Sequence, residues 1–175
     1  MNRESDLDIL QEVEAKQALR HLNATFARAY DRMDRCLMVS LWTDDANIDW
    51  GHFQGSVQPF VIAATSPDEA LERTFSSISN EYFEIDGNTA RGEVYVINVS
   101  TVVSNGEKED RLIGGRFLDH YRKERGEWKI AKRTFVHDWN MNHPTTAVLD
   151  EGMFALFRLR GERSKNDPVY ALLGE

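Results

Sequence analysis

Two aspartates stand near the end of a long helical pattern, and one of them is placed for proton-transfer chemistry. Asp31 lies about one turn beyond Phe26 and Ala27, which belong to the apolar face, so its carboxylate is expected to point toward the core. An apolar pocket favours the neutral form of a carboxyl group, which suits a proton acceptor near neutral pH. The neighbouring Tyr30 can donate a hydrogen bond to a ligand oxygen. The alternative for Asp31 is the role of a solvated acid at the end of the helix. Asp34, three residues further on, suits that role better.

A second set of candidates lies on a strand pattern near residue 135. Alternation puts five side chains on one face: Ala131, Arg133, Phe135, His137 and Trp139. At about 3.3 Å per residue, Arg133 and His137 are roughly 13 Å apart and suit the two ends of a two-ring substrate. His137 is a candidate general acid or base, with a sheet or subunit contact as the alternative. The alternative for Arg133 is an ion pair with a carboxylate such as Asp31.

These residues need helices and then hairpins to position them. Apolar spacing of three and four predicts a helix over residues 6–34 and a short one over 35–42, followed by a TDDA turn and a strand over 46–50. Ser66 as N-cap and Pro67 at the first position predict a third helix over 66–77. Strands follow at 80–85, 89–103, 111–122 and 127–139, separated by DG, NG and RG turns. The order predicts an α+β fold, with helices covering one face of a curved antiparallel meander.

Composition excludes several classes of function. The chain has 175 residues, 41% of them apolar, which fits one globular domain. Its net charge of −8 disfavours nucleic acid and anionic membranes as partners and favours a small uncharged ligand. The single Cys36 allows no internal disulfide, and no His and carboxylate spacing suits a metal site. The polar, acidic N-terminus is unlike a signal peptide, so a cytoplasmic protein is expected.

Three segments together resemble the SnoaL-like branch of the nuclear-transport-factor-two-like superfamily. They are AYDRMDRCLMVSLWTDDANIDWG, SNEYFEIDGNTARGEVYV and GGRFLDHYRKERGEWKIAKRTFVHDW, within a match over about residues 8–140. The resemblance implies a cone-shaped domain over 1–140 that encloses a deep apolar pocket. It leaves 141–175 as an extension that packs on the domain or on a neighbouring subunit of a homodimer or homotrimer. Similar members are cofactor-free lyases of the scytalone dehydratase and hexachlorocyclohexane dehydrochlorinase types.

The resemblance also assigns roles to individual residues. Asp31 matches the aspartate that family lyases pair with a histidine, and Arg133 matches an arginine that stabilises developing negative charge. The histidine position, four residues before Asn80, is Ser76 here, so either the activity differs or another residue supplies the base. Strand alternation and the family match predict a pocket wall that includes Tyr30 together with Phe26, Ile48, Trp50, Ser76, Val94, Val96, Asn98, Ile113, Phe117 and Phe135.

The resulting hypothesis is a cofactor-independent lyase that acts on a hydrophobic, aromatic small molecule such as a lignin-derived dimer. Asp31 takes a proton, alone or through His137, while Arg133 and Tyr30 hold the leaving or developing oxyanion. Water, halide and formaldehyde remain open as leaving groups. One alternative is an isomerase or cyclase for steroids or polyketides. The other is a non-catalytic binder or the small subunit of a ring-hydroxylating dioxygenase, which the loss of the histidine at Ser76 favours.

Overall fold

The computed structural model describes residues 3–174, with side chains described from Asp8 onward. In chain order the elements are α1 (Arg3–Asp31), α2 (Arg35–Ser40), β1 (Trp42–Trp50), β2 (Phe53–Ser56), α3 (Gln58–Ala64), β3 (Leu71–Asp86), β4 (Thr89–Ser104), β5 (Glu107–Glu124), β6 (Glu127–Pro144), a 3₁₀ turn (Gly152–Leu156) and α4 (Pro168–Leu173). The α+β class is confirmed.

One mixed, curved sheet carries the fold, with strand order β2-β1-β6-β5-β4-β3. Strands β3 to β6 form the predicted antiparallel meander, while β1 runs parallel to β6 and brings β2 with it. The β4–β5 turn shows why the NG signal works: Asn105 has φ 52° and Gly106 has φ 81°, and asparagine and glycine tolerate this left-handed region best. The hairpin turns therefore fix the register of the long strands.

The predicted helix over residues 66–77 is wrong. The third helix, α3, ends at Ala64, and Pro67 follows its C-cap Thr65 by two residues, a common place for a proline that cannot continue a helix. The chain from Leu71 onward is strand β3, whose backbone pairs with β4 along its whole length. The predicted TDDA turn is also wrong, because residues 43–46 continue β1 through a shift in its register against β6.

Helix α1 packs across the inner face of the sheet. Its buried side chains Leu19, Phe26 and Ala29 meet a core that includes Val94 and Ile130 of the sheet. The opposite face of the sheet leaves large apolar side chains exposed, among them Phe75, Ile97, Leu118, Trp139 and Met141.

Two irregularities in β6 change the predicted face of its residues. Ile130 lies opposite Tyr121 and Lys132 lies opposite His120, so Ala131 is an extra residue without a ladder partner. Ile130 takes the inner position and is fully buried. A second shift skips Asp138, which places Trp139 against Gly114 on the outer face. The prediction that Ala131 and Trp139 share the face of Arg133 is therefore wrong, because a bulge reverses the alternation beyond it.

The second shift lies beside Gly115, where a larger residue would meet neighbouring atoms at close range. A Cβ on Gly115 would lie 2.6 Å from the Phe135 ring and would also meet the Val136 carbonyl oxygen. We expect Gly115→Ala to lower the free energy of unfolding by about 1–3 kcal/mol, measured by urea denaturation. The control is Gly161→Ala, where the nearest atom to the new Cβ would be 3.6 Å away. Equal stability of the two variants would contradict the tight approach of β5 and β6.

The end of the chain, which we call the C-terminal segment (residues 160–173), returns to the corner between α1 and α2. Asp34, 3% exposed, accepts hydrogen bonds from Lys165 Nζ at 2.6 Å and Tyr170 Oη at 2.9 Å, and it also caps α2 through Leu37 N. Asp167, 4% exposed, faces Arg32 Nε at 2.8 Å. Asp34 is therefore a buried anchor, not the solvated acid expected from the sequence.

These bonds predict a loss of stability in acid. Burial raises the pKa of the Asp34 carboxyl, but its bonds with Lys165, Leu37 and Tyr170 outweigh burial and hold the pKa below its ordinary value. The stabilisation is therefore complete above an unfolded pKa of about 3.9 and is lost as the pH falls through the lower, folded pKa. In urea titrations, Asp34→Asn should be less stable than wild type at neutral pH, and the difference should shrink toward pH 3. Asp44→Asn, which changes an exposed residue of β1, is the control; a pH-independent difference for Asp34→Asn would contradict the assignment.

Candidate functional site

A cavity of about 90 Å³ lies between α1 and the inner face of the sheet. Its wall consists of Phe26, Ala27, Tyr30, Trp50, Ser76, Ile78, Val96, Asn98, Ile113, Phe117 and Phe135. The structure thus brings the predicted wall residues together except Ile48 and Val94, which are 2% and 0% exposed in the core beside the cavity. Ala27 and Ile78 are additions. Ile78 lies between the predicted helix over 66–77 and the predicted strand over 80–85, so the sequence predicted no face for it, whereas the structure includes it in β3.

Stacked rings form most of the apolar wall. The Trp50 ring lies 4.8 Å from Phe135 and 5.1 Å from Phe60, and Phe26 meets Phe117 edge to face at 5.5 Å. The volume enclosed is smaller than the roughly 150 Å³ of an engineered apolar cavity that binds benzene. An aromatic ligand therefore requires part of this wall to move.

The Asp31 carboxylate is connected to the cavity by the Ser76 hydroxyl. Its carboxylate is 5% exposed and accepts hydrogen bonds from Thr74 Oγ1 at 2.9 Å, Ser76 N at 2.8 Å and Ser76 Oγ at 2.9 Å. The Ser76 hydroxyl in turn accepts from Asn98 Nδ2 at 3.0 Å. Since Ser76 and Asn98 both line the cavity and Asp31 does not, the Ser76 hydroxyl stands between the carboxylate and any ligand.

Strand alternation in β3 creates this arrangement. Thr74, Ser76 and Ile78 point inward, whereas Phe75 between them is 65% exposed on the outer face. Ser76 lies opposite Asn98 of β4 in the ladder, which explains their contact. Ser76, for which the sequence resemblance suggested a histidine position, thus lies in direct contact with Asp31.

Tyr30 supplies a phenol to the cavity wall. Burial raises its pKa above the ordinary value; the Arg163 cation acts in the opposite direction, and the Asp31 and Asp68 carboxylates raise the pKa further. The phenol thus keeps its proton at neutral pH. The Tyr30 side chain lines the cavity. Tyr30 can therefore donate to a ligand oxygen or halogen.

Arg133 lies behind the wall and pairs with Asp119, not with Asp31. Its Nε and Nη2 donate to the Asp119 carboxylate at 2.9 and 2.7 Å, and Nη2 also donates to Asn23. The guanidinium carbon lies 4.3 Å from the Phe26 ring centre and 4.0 Å from that of Phe117, so the cation stacks between two wall residues. Within the described part of the chain, its Nη1 is buried without a hydrogen-bond partner.

His137 is not brought to the cavity. It lies opposite Gly115 in the middle of β6, on the inner side of the register, but its side chain is exposed. The residues lining the cavity do not include it. The pairing of Arg133 and His137 around one ligand is therefore not present in this structure.

Residues 3–174 lack two other kinds of site. No helix in this range is long and apolar enough to cross a membrane. The same residues hold no group of three or more His, Cys, Asp and Glu side chains that could bind a metal ion.

Comparisons with known proteins agree with the fold. The hexachlorocyclohexane dehydrochlorinase LinA type 2 superposes with a TM-score of 0.67 at 18% identity, covering 79% of this chain and 94% of that chain. A candidate scytalone dehydratase from Novosphingobium aromaticivorans gives 0.65 at 14% identity, covering 82% and 95%. A candidate aromatic ring hydroxylase from the same organism gives 0.62 at 21% identity, covering 76% and 94%. No curated protein matches the sequence. The SnoaL-like domain family matches residues 11–134, and the chain belongs to this family.

Proposed function

We propose that this protein is a cofactor-independent lyase that removes a proton from a small hydrophobic, aromatic molecule. The observation that carries the proposal is the Ser76 hydroxyl, which lines the cavity and donates to the buried Asp31 carboxylate at 2.9 Å. The carboxylate is the group of this pair that can take a proton, and the serine hydroxyl connects it to the cavity. The SnoaL-like fold supports the class of reaction, and structural neighbours include a dehydrochlorinase.

In the proposed elimination, Ser76 relays the proton. Its Oγ accepts a proton from a substrate carbon while its own hydrogen moves to Asp31 Oδ1, so the serine is unchanged and the aspartate becomes neutral. The electrons of the C–H bond form a new double bond, and the bond from the adjacent carbon to the leaving group breaks. Asn98 Nδ2, which donates to Ser76 Oγ at 3.0 Å, keeps the serine hydrogen directed toward Asp31.

The leaving group takes an electron pair and needs a positive or hydrogen-bonding environment. Tyr30 can donate its phenolic hydrogen to a departing hydroxide or halide. In the Arg133 and Asp119 ion pair it is the guanidinium that stacks on Phe26 and Phe117, so the positive end of the pair lies behind this wall of the cavity and favours negative charge there. We therefore assign Tyr30 to contact with the leaving group and Arg133 to the stabilising field.

The substrate must fit an aromatic cavity that is small in its present state. A single-ring or compact two-ring compound, including a lignin-derived dimer, can enter only if part of the wall moves, for example by opening of the Trp50 and Phe135 stack. Halide, water and formaldehyde are the leaving groups to compare. Loss of formaldehyde would begin at a substrate hydroxyl and break a C–C bond, so it needs the same base.

Two rival functions rest on specific observations. A steroid or polyketide isomerase would use the same Asp31 and Ser76 but return the proton to another carbon. A binder or small subunit of a ring-hydroxylating dioxygenase is favoured by the serine at the histidine position, and one structural neighbour is named as a candidate aromatic ring hydroxylase. Such a subunit would not require a phenol and a carboxylate relay at one cavity.

We also propose a homodimer or homotrimer, with residues 141–175 as an extension of the 1–140 domain. Support comes from the exposed apolar outer sheet face and from exposed Met153, Phe154, Leu156, Phe157 and Leu159. Sedimentation equilibrium of the full chain should give two or three copies, and a monomer at micromolar concentration would reject the assembly.

The function is tested by mass-resolved turnover of aromatic alcohols, aromatic and alicyclic halides, and lignin-type dimers. A lyase gives a product lighter by water, hydrogen halide or formaldehyde. An isomerase gives a product of unchanged mass in ordinary water. In heavy water the same product gains deuterium. Binding detected by calorimetry without conversion of any compound would favour the binder and reject the lyase.

A further inference from the structure

We propose that Arg163, delivered by the C-terminal segment, is a positioning residue for the Tyr30 and Asp31 end of the cavity. This inference extends the proposed function, because it adds a residue to the same site. It also makes the C-terminal segment part of that site, although the SnoaL-like match ends at residue 134.

A chain of hydrogen bonds connects Arg163 to the carboxylate. Arg163 Nη1 donates to Thr74 Oγ1 at 2.7 Å, and Thr74 Oγ1 donates to Asp31 Oδ1 at 2.9 Å. A threonine hydroxyl has one hydrogen. Because Arg163 can only donate, the Thr74 hydroxyl must act as the acceptor toward Arg163 and can direct its one hydrogen to Asp31. This hydrogen bond holds Asp31 Oδ1 in place.

Charge also argues for Arg163 as the counter-ion at this end. The hydrogen-bond donors to Asp31 among the described residues are neutral groups on Thr74 and Ser76. A carboxylate buried among neutral donors is costly unless a cation lies near. Arg163 is the half-buried cation close enough to Asp31 and Tyr30 for electrostatic interaction.

Other charged groups near this end do not replace Arg163. Arg32 is close to Arg163, but it faces Asp167, and Arg133 is held by Asp119. Asp68 adds a negative charge near both Tyr30 and Arg163. Burial lowers the pKa of the Arg163 guanidinium, whereas Tyr30, Asp31 and Asp68 oppose this effect.

The C-terminal segment holds Arg163 between two anchors. On one side, Glu162 N donates to Asp167 at 2.9 Å, and Asp167 faces Arg32. On the other side, Lys165 Nζ lies 2.6 Å from Asp34. Both anchors attach to the corner that directly follows Asp31 in the chain. Arg163 is therefore fixed relative to Asp31 and does not depend on a free tail.

The test compares Arg163→Gln and Arg163→Lys with Arg160→Gln in the full-length protein. Arg160 is a matched control three residues away, where the guanidinium donates to backbone carbonyls of Leu149 and Phe154. The reporter is a fluorinated tyrosine at position 30, followed by ¹⁹F NMR during a pH titration. A fluorinated phenol titrates at lower pH than tyrosine, which keeps the protein folded.

We expect Arg163→Gln to raise the midpoint of the position-30 titration by about one pH unit, because a nearby cation that favours the phenolate is lost. Arg163→Lys should restore part of the shift and Arg160→Gln should cause none. With an active substrate, Arg163→Gln should also lower kcat at least tenfold while KM changes less. An unchanged titration midpoint in Arg163→Gln would overturn the proposal, even if thermal stability fell. The titration needs no substrate, so failure to find turnover would reject the lyase alone.

Discussion

Replacing Asp31 by Asn should reduce turnover of the best substrate by about 10²- to 10⁴-fold, the usual contribution of a general base. The amide keeps one oxygen that can accept from Ser76, but it cannot take a proton at neutral pH. Its Nδ2 also faces donors, so some loss of stability is expected, of about 1–3 kcal/mol. Steady-state kinetics should therefore be measured well below the melting temperature of the variant.

The control for Asp31→Asn is His137→Ala. The sequence suggested His137 as an alternative base, but its side chain is exposed and outside the cavity wall. Turnover by His137→Ala should remain within about twofold of wild type, since surface changes are usually small in effect. The reverse pattern, with His137→Ala inactive and Asp31→Asn active, would contradict the site as described.

The largest expected effect on stability follows from the buried charge pair behind the cavity. Arg133 and Asp119 both have side chains 0% exposed, and Tyr121 Oη donates to the same carboxylate at 2.6 Å. Asp119→Ala would leave the Arg133 charge buried and unpaired, which costs about 3–5 kcal/mol. We expect Tm to fall by about 6–20 °C, as measured by calorimetry.

A double variant separates the charge effect from loss of packing. Replacing the pair together, as Asp119→Leu with Arg133→Met, removes both charges and should recover much of the stability lost in Asp119→Ala, because apolar residues often replace buried pairs without loss. Turnover should remain impaired, since the field behind Phe26 and Phe117 is gone. A double variant as active as wild type would contradict the assigned role of Arg133.

Local sequence signals were sufficient for most of the sheet and misleading at β3. Turn pairs such as Asn105 and Gly106 depend on backbone conformations that few residues tolerate, so the hairpins were predictable. Pro67 is equally compatible with the start of a helix and with a position just after one. Pairing with β4, a contact between segments distant in sequence, decided that residues 71–77 form a strand.

The wall of the cavity follows from alternation, but its polar groups required long-range contacts. Val96, Asn98 and Phe117 could be placed because their strands are regular, whereas the bulges of β6 moved Ala131 and Trp139 to other positions. The Asp31 and Ser76 contact joins residues 45 positions apart, and Arg163 lies 89 positions from Thr74. No spacing rule connects such residues. The family resemblance suggested that position 76 lies near Asp31, but the hydrogen bonds of Ser76 and the contact of Arg163 with Thr74 required the three-dimensional structure.

In the proposed reaction the Ser76 hydroxyl and the Asp31 carboxylate act as one proton relay. The most direct measurement is a double-mutant cycle on kcat/KM with Ser76→Ala, Asp31→Asn and the combined variant. Residues that act as a unit are strongly non-additive, so we predict that each single change removes most of the activity and that the double variant is little worse than either. Wild-type turnover in Ser76→Ala, or two losses that simply multiply, would contradict the relay.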